Sequence, residues 1–226
     1  MKKIFRISLF VLVWVACLPA QETWVFWPGV KSNEISSDLQ GMGSVRVFGN
    51  INSFERELKN QSDVNVIAPG PFFQYRKEYS ANLASQKGIQ FKEKLLLVSL
   101  DASIQLPDLE GKKIGLWNQM GRKNAKKFIK ENLGIEKARV KTVNKESDLI
   151  SLIGLDVVSA ILISEREYNA WKSKTELPLT VISDKEIYVD LPKVASKGKA
   201  SINKRKIKRI SDAVFRQLGK LNWREL

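Results

Sequence analysis

Residues that could bind a small solute follow the predicted carboxyl ends of several strands. Aromatic rings can stack on a ligand, and the free backbone amides at a helix N-terminus suit an anion. Such residues lie after a strand near residue 27, at two helix starts near 53 and 70, in the turn 118–122 and after a strand near 164. The candidate ligand-binding residues are Trp27, Ser53, Gly70, Pro71, Phe72, Tyr75, Asn118, Gln119, Gly121, Arg122 and Ser164.

Several of these residues also have a purely structural interpretation. Trp27 could pack beneath its own turn, and Pro71 suits the first turn of any helix. Ser164 could simply cap the helix that follows it. The turn 118–122 has the strongest ligand interpretation, because Arg122 adds a bidentate cation to the helix N-terminus.

Catalytic chemistry finds little support in the composition. The 226-residue chain has no histidine, and its one cysteine is Cys17. It therefore lacks the commonest general base and metal ligand. The aspartates are scattered, and no glycine-rich phosphate loop occurs. We predict no enzymatic activity, no metal and no cofactor, although a Ser–Lys dyad stays open.

The N-terminus has the layout of a secretory signal peptide. Lys2, Lys3 and Arg6 precede an apolar run over 7–18, and Ala20 then offers a small residue for cleavage. The run is too short to anchor a mature protein in a bilayer. We predict a signal peptide over 1–20 and a periplasmic or secreted product. Lipidation at Cys17 is the alternative.

The positive charge is unevenly distributed. The formal net charge is +14, and the segment 193–209 holds eight basic residues and no acidic one. Such a run suits an anionic membrane surface or a partner protein, whereas export argues against nucleic acid. A solvated helix face is the plainer alternative. The candidate basic surface consists of Lys204, Arg205, Lys206, Lys208 and Arg209.

Short strands alternate with helices along the chain, which predicts an α/β fold. The predicted strands cover 23–27, 44–49, 64–68, 88–100, 112–117, 138–143, 157–164, 177–182 and 186–191. The predicted helices are one capped by Asn52, then 72–87, 121–133, 147–153, 165–173, and a last one capped by Asn203.

Two α/β runs of similar size predict two lobes, each a mostly parallel sheet flanked by helices. We expect connections near 100–107 and 180–185. Lobe 1 would then comprise 21–103 plus 184–226, with lobe 2 inserted as 104–183. A cleft between α/β lobes is a common ligand site. We expect a monomer.

Three segments resemble the type 2 periplasmic-binding-protein family. They are LPDLEGKKIGL (106–116), DVNVIAPGPFFQY (63–75) and LDVVSAILISEREYNAW (155–171). Gly70, Pro71 and Tyr75 approximate a turn of the phosphonate and phosphite receptors, with the tyrosine one residue later. The turn 118–122 departs from those receptors because it lacks the serine and threonine hydroxyls that grip an oxyanion.

The resemblance implies an exported solute-binding protein. Its two lobes would close over a small anionic ligand and deliver it to a membrane permease of an ATP-driven importer. The alternative is the same fold with a degenerate cleft, acting as an interaction or sensory module through the basic surface.

Overall fold

The computed structural model describes residues 22–226 except 36, 77 and 199. The predicted signal peptide and Cys17 lie outside these residues. The strands are β1 Thr23–Phe26, β2 Val45–Phe48, β3 Val64–Ala68, β4 Ser80–Gln86, β5 Lys92–Ser99, β6 Lys113–Trp117, β7 Arg139–Val143, β8 Ala160–Ser164, β9 Thr180–Val181, β10 Ile187–Asp190, β11 Lys193–Lys197 and β12 Asn222–Glu225. The helices are α1 Ser32–Ile35, α2 Ile51–Leu58, α3 Gly70–Gln74, α4 Arg122–Leu133, α5 Asp148–Gly154, α6 Glu165–Lys172 and α7 Lys204–Val214.

The first sheet has the strand order β12-β4-β11-β3-β1-β2. Its central strands β1 and β3 are buried along their whole length, as expected for their largely apolar sequences. One face packs against α2 and α3 around Phe26, Phe54 and Phe72. The opposite face packs against α7 through Val25, Ile67 and the apolar positions of that helix.

The second sheet has the order β10-β5-β8-β6-β7, with β9 paired to the far end of β5. Helix α4 covers one face through Ala125, Phe128 and Ile129, which recur at helical spacing. Helices α5 and α6 cover the other face. The two-sheet α/β architecture predicted from the sequence is therefore confirmed.

The sheets are mixed rather than mostly parallel. In the described part of each sheet, two strand pairings are parallel and three are antiparallel. The antiparallel pairings come from β4, β5 and the strands of the returning chain. Periodicity indicates that a segment is a strand but carries no information about its direction relative to its neighbours.

The predicted helix over 72–87 was wrong. Helix α3 ends at Gln74, and the second half of that segment forms β4 between β11 and β12. Strand β11, which the sequence analysis missed, supplies the neighbour. Pairing between distant segments has overridden local helix propensity. The cap of α2 is also two residues earlier than predicted, because the Asn50 side chain accepts from the amides of Asn52 and Ser53.

The chain changes sheets at places other than the predicted connections near 100–107 and 180–185. It leaves the first sheet after β4, and it returns between β10 and β11. We therefore propose that lobe 1 comprises 22–87 and 191–226, and that lobe 2 comprises 92–190. These definitions are used below. In the described residues, no helix has both the length and the apolar content that a membrane span needs.

Candidate functional site

An aromatic cluster bridges the cleft between the two lobes. Trp27 follows β1 of lobe 1, and Trp117 ends β6 of lobe 2. Their ring centroids lie 4.9 Å apart in an edge-to-face arrangement. The Phe215 ring centroid lies 4.7 Å from that of Trp27. The Trp117 indole also donates to the carbonyl of Asn144 at 2.8 Å, which fixes its orientation.

A cavity of about 420 Å³ lies beside this cluster. Lobe 1 contributes the turn after Trp27 and the end of α7, and lobe 2 contributes Trp117 and the starts of α5 and α6. Gly29 closes one wall, since a Cβ atom on it would lie 2.6 Å from the Asn144 carbonyl oxygen. Its φ of +80° also favours glycine. The charged residues that line the cavity are Lys145, Glu146, Arg166, Glu167 and Arg216.

Arg166 is the centre of a charged cluster on the lobe 2 wall. Its guanidinium pairs with Glu93 at 3.3 Å, Glu146 at 3.1 Å and Glu167 at 3.1 Å. Glu146 also accepts from the Ser164 amide at 2.9 Å. Burial raises the pKa values of Glu93 and Glu146, and the guanidinium acts in the opposite direction. One guanidinium therefore serves three carboxyl groups in this cluster.

The rim of the cavity carries the balancing positive charge. Arg216, after α7, pairs with Asp38 at 2.6 Å across the surface of lobe 1. Lys145 is exposed at the start of α5. A polar solute in the cavity would consequently meet carboxylates on one wall and an ammonium group at the rim.

Arg76 joins the two lobes at a second place. Its side chain is buried, and its guanidinium lies 4.1 Å from the centroid of the Phe72 ring. It donates to the Phe72 carbonyl at 2.6 Å and to the Met120 carbonyl of lobe 2 at 3.2 Å. It also pairs with Glu55 of α2. Its Nη1 atom bonds the Phe72 carbonyl, and its Nη2 atom bonds both Glu55 and the Met120 carbonyl, so this arginine holds Met120 against lobe 1.

Tyr75 makes a neighbouring contact between the lobes. Its hydroxyl donates to Glu131 of α4 at 2.7 Å, and Lys127 lies 5.0 Å from its ring. Partial burial and then the adjacent carboxylate raise the pKa of this phenol. Tyr75, which the sequence predicted to bind a ligand, thus contacts α4 of lobe 2.

We expect Tyr75→Phe to lower the free energy of unfolding by about 0.5–1 kcal/mol, because it removes one surface hydrogen bond to a charged acceptor. Urea denaturation measures this change. Tyr188→Phe is the matched control, since Tyr188 reaches Glu186 only at 3.4 Å and should matter less. Unchanged stability with lost solute affinity would instead assign Tyr75 to the ligand.

The other candidate residues of lobe 1 have different surroundings. Trp27 lines the cavity, whereas Phe72 is fully buried in the core of lobe 1 and lines no part of it. Gly70 and Pro71 are buried at the start of α3. A Cβ on Gly70 would lie 2.2 Å from the Asp190 carbonyl, so glycine permits a close approach between α3 and β10. Ser53 is half-buried in the first turn of α2.

The lobe 2 candidates are also dispersed. Gln119 lines a void of about 30 Å³ next to Trp117, and Gly121 packs against Ile51 of lobe 1. Asn118 is half-buried, and its backbone N–H donates to the Val143 carbonyl. Arg122 is exposed and does not line the cavity. The Ser164 hydroxyl caps α6 by accepting from the Glu167 amide at 3.3 Å.

Sequence analysis missed the charged cluster around Arg166, of which Arg166, Glu146 and Glu167 line the cavity. Glu93 is separated from Arg166 by 73 positions, and Glu146 from it by 20. The one available signal was Glu165-Arg166-Glu167 directly after the buried strand β8, at the position where lobe 2 meets the cleft. In the described residues, no group of three or more metal-ligating side chains is arranged to hold a metal ion.

Comparisons with solved structures identify the architecture. The chain is similar to a substrate-binding protein of an amino acid ABC transporter, with a TM-score of 0.50, 13% identity, and 89% of this chain and 95% of that one covered. The fold is that of a two-lobed periplasmic binding protein. No family model and no curated protein matches this chain.

Two further solved structures match this fold. A Salmonella typhimurium periplasmic binding protein with high arginine specificity matches with a TM-score of 0.50 and 11% identity, over 87% of this chain and 92% of that one. A Xanthomonas citri protein solved with ATP matches with a TM-score of 0.58 and 9% identity, over 86% and 82%. Identities this low establish the fold only.

Proposed function

We propose that this chain is an exported solute-binding protein that holds a small solute between its lobes and delivers it to a membrane transporter. The supporting observation is the cavity of about 420 Å³, which both lobes line at the carboxyl ends of β1 and β6. Its size suits a small organic molecule. The binding proteins of the same fold named above add support, as does the signal-like N-terminus.

The charges around the cavity favour a zwitterionic solute over the small anionic ligand that the sequence predicted. Arg166 is already shared among three carboxylates, so it has little capacity left for an added anion. Glu167 can accept from an ammonium group on the ligand, while Lys145 at the rim can pair with a carboxylate or phosphonate. The Trp27 and Trp117 rings would bound the apolar part of the solute.

The test is calorimetric titration of the exported protein with amino acids, simple amines, dicarboxylates and phosphonates. We expect amino acids to bind most tightly. Glu167→Gln should then weaken binding about 10-fold or more, because a charge-assisted hydrogen bond is replaced by a neutral one.

Arg122→Ala is the matched control, since Arg122 is an exposed cation outside the cavity. The Arg122→Ala variant should bind the solute with the same affinity as the unmodified protein. Preferential binding of dicarboxylates or phosphonates would contradict the zwitterionic assignment. If no member of the panel binds, the solute-binding proposal fails, and the degenerate-cleft alternative takes its place.

A further inference from the structure

The excess positive charge of the protein is concentrated in its last 36 residues. The segment 191–226 contains eleven lysines and arginines and only two acidic residues. Residues 22–190 contain 24 lysines and arginines and 22 acidic residues. The charge therefore belongs to α7 and the segments around it in lobe 1, and the remainder of the protein is close to neutral.

Helix α7 presents this charge on one face. Its apolar positions, including Ile207, Ile210 and Val214, are buried in the core of lobe 1. The residues exposed on the opposite face are Lys204, Arg205, Lys208, Arg209 and Asp212. Lys206 does not belong to this exposed face: it is half-buried and its ammonium donates to the Ser44 carbonyl at 3.4 Å.

Most of the exposed cations are not neutralised by the protein itself. In the described part of the chain, no carboxylate lies within ion-pair distance of Arg205, Lys208 or Arg209. Lys204 pairs with Glu225 of β12, but both side chains are largely exposed and such a pair is weak. The face is therefore a local source of positive potential.

The basic end of α7 points away from the cleft. Ala213 and Val214, at the carboxyl end of the helix, line the solute cavity. The amino end lies beside the start of β1, where Asn203 and Lys206 share a separate cavity of about 280 Å³ with Thr23. With about 1.5 Å per residue, the helix extends about 16 Å from one site to the other. Contact at the amino end would therefore leave the cleft accessible.

The sequence before Thr23 points to a membrane as the partner. In the lipidated alternative, signal cleavage leaves Cys17 at the N-terminus, six residues before Thr23, a reach of about 20 Å for an extended chain. Acyl chains on Cys17 would then hold the start of β1 close to the lipid headgroups. The basic end of α7 is its neighbour in the fold.

We propose that the exposed face of α7 docks lobe 1 on an anionic lipid surface and leaves the cleft open to solution. The attraction is electrostatic, because the exposed side of α7 offers cations but no apolar side chain that could insert. Basic clusters bind anionic headgroups in this manner, and salt screens the interaction within a Debye length.

The experiment is sedimentation of the exported protein with phosphatidylcholine vesicles containing about one-third phosphatidylglycerol, an anionic fraction large enough to set a surface potential. Vesicles of pure phosphatidylcholine give the baseline, including any insertion through the N-terminus. We expect binding to the anionic vesicles above this baseline, and its loss at high salt. The variant Arg205→Gln/Lys208→Gln/Arg209→Gln should lower the affinity by about 100-fold.

The matched control is Lys123→Gln/Lys126→Gln/Lys141→Gln in lobe 2, which removes three equally exposed cations that no carboxylate neutralises in the described residues. It should change the affinity less than about 3-fold. Lys123 and Lys126 lie on α4, which contacts the end of α3 on the face of the first sheet opposite α7, and salt screens charges beyond about 10 Å. Circular dichroism establishes that both variants are folded. Equal losses in the two variants would overturn the proposal in favour of a general charge effect.

Two other results would also overturn the proposal. One is an absence of binding to anionic vesicles above the baseline. The other is binding to an acidic polypeptide, such as polyglutamate, without binding to vesicles, which would assign the face to a protein partner. Solute titration is measured separately, so failure of the membrane proposal leaves the solute-binding proposal intact.

Discussion

Phe72→Ala should lower the free energy of unfolding by about 3–5 kcal/mol, the usual cost of removing a fully buried phenylalanine. The Phe72 side chain has no exposed surface. Its ring lies 5.3 Å from that of Phe54 and 5.9 Å from that of Phe26. These contacts join α2, α3 and the first sheet, and the same ring lies under the Arg76 guanidinium. The variant therefore loses core packing together with one contact of the arginine that links the lobes.

Equilibrium urea denaturation, followed by circular dichroism, measures this change. Phe91→Ala is the matched control. Because Phe91 is 39% exposed, its removal should lower the free energy of unfolding much less. The experiment also separates the two interpretations of the 70–75 turn. A variant with normal stability and lost solute binding would restore Phe72 to the ligand site and contradict its assignment to the core.

Arg166→Met should lower the free energy of unfolding by about 2–4 kcal/mol at neutral pH. The methionine keeps an apolar stem of similar length but leaves Glu93, Glu146 and Glu167 without their shared cation. Removing one partner from a buried ion cluster is costly, because the remaining charges stay desolvated and repel each other. The figure lies toward the lower end of the usual range because the Arg166 side chain is 30% exposed.

The deficit should shrink as the pH falls. Burial already raises the pKa values of Glu93 and Glu146 in the folded protein, and loss of the guanidinium removes the opposing effect. A carboxyl group with a raised folded-state pKa binds protons more tightly when folded. Its contribution to stability is therefore complete below the unfolded-state pKa, and it is lost as the pH rises through the folded-state value.

Urea denaturation at pH 7.5 and pH 5 compares the variant with the unmodified protein. We expect the difference in unfolding free energy to be smaller at pH 5. Lys174→Met, a change at an exposed cation just after α6, is the control and should show little pH-dependent loss. If the loss of unfolding free energy is the same at both pH values, it results from lost packing and not from repulsion among the three unpaired carboxylates.

Local sequence determined most of the elements. The largely apolar runs of β3 and β8 and the helical spacing of Ala125, Phe128 and Ile129 predicted structures that were confirmed within a few residues. These signals are local because strand and helix periodicity depends only on near neighbours in the chain. The basic run that contains α7 was equally visible, since charge can be counted without a fold.

Only the tertiary structure decided which segments meet. Strand β4 forms in a segment with a helical pattern because β11 and β12, more than 100 positions later, provide its hydrogen-bond partners. Glu93 and Arg166 come together because β5 and β8 are neighbours in the second sheet, an order that no single strand encodes. Local patterns thus specified the strands and helices, whereas long-range pairing of strands built the cleft and selected the charges that line it.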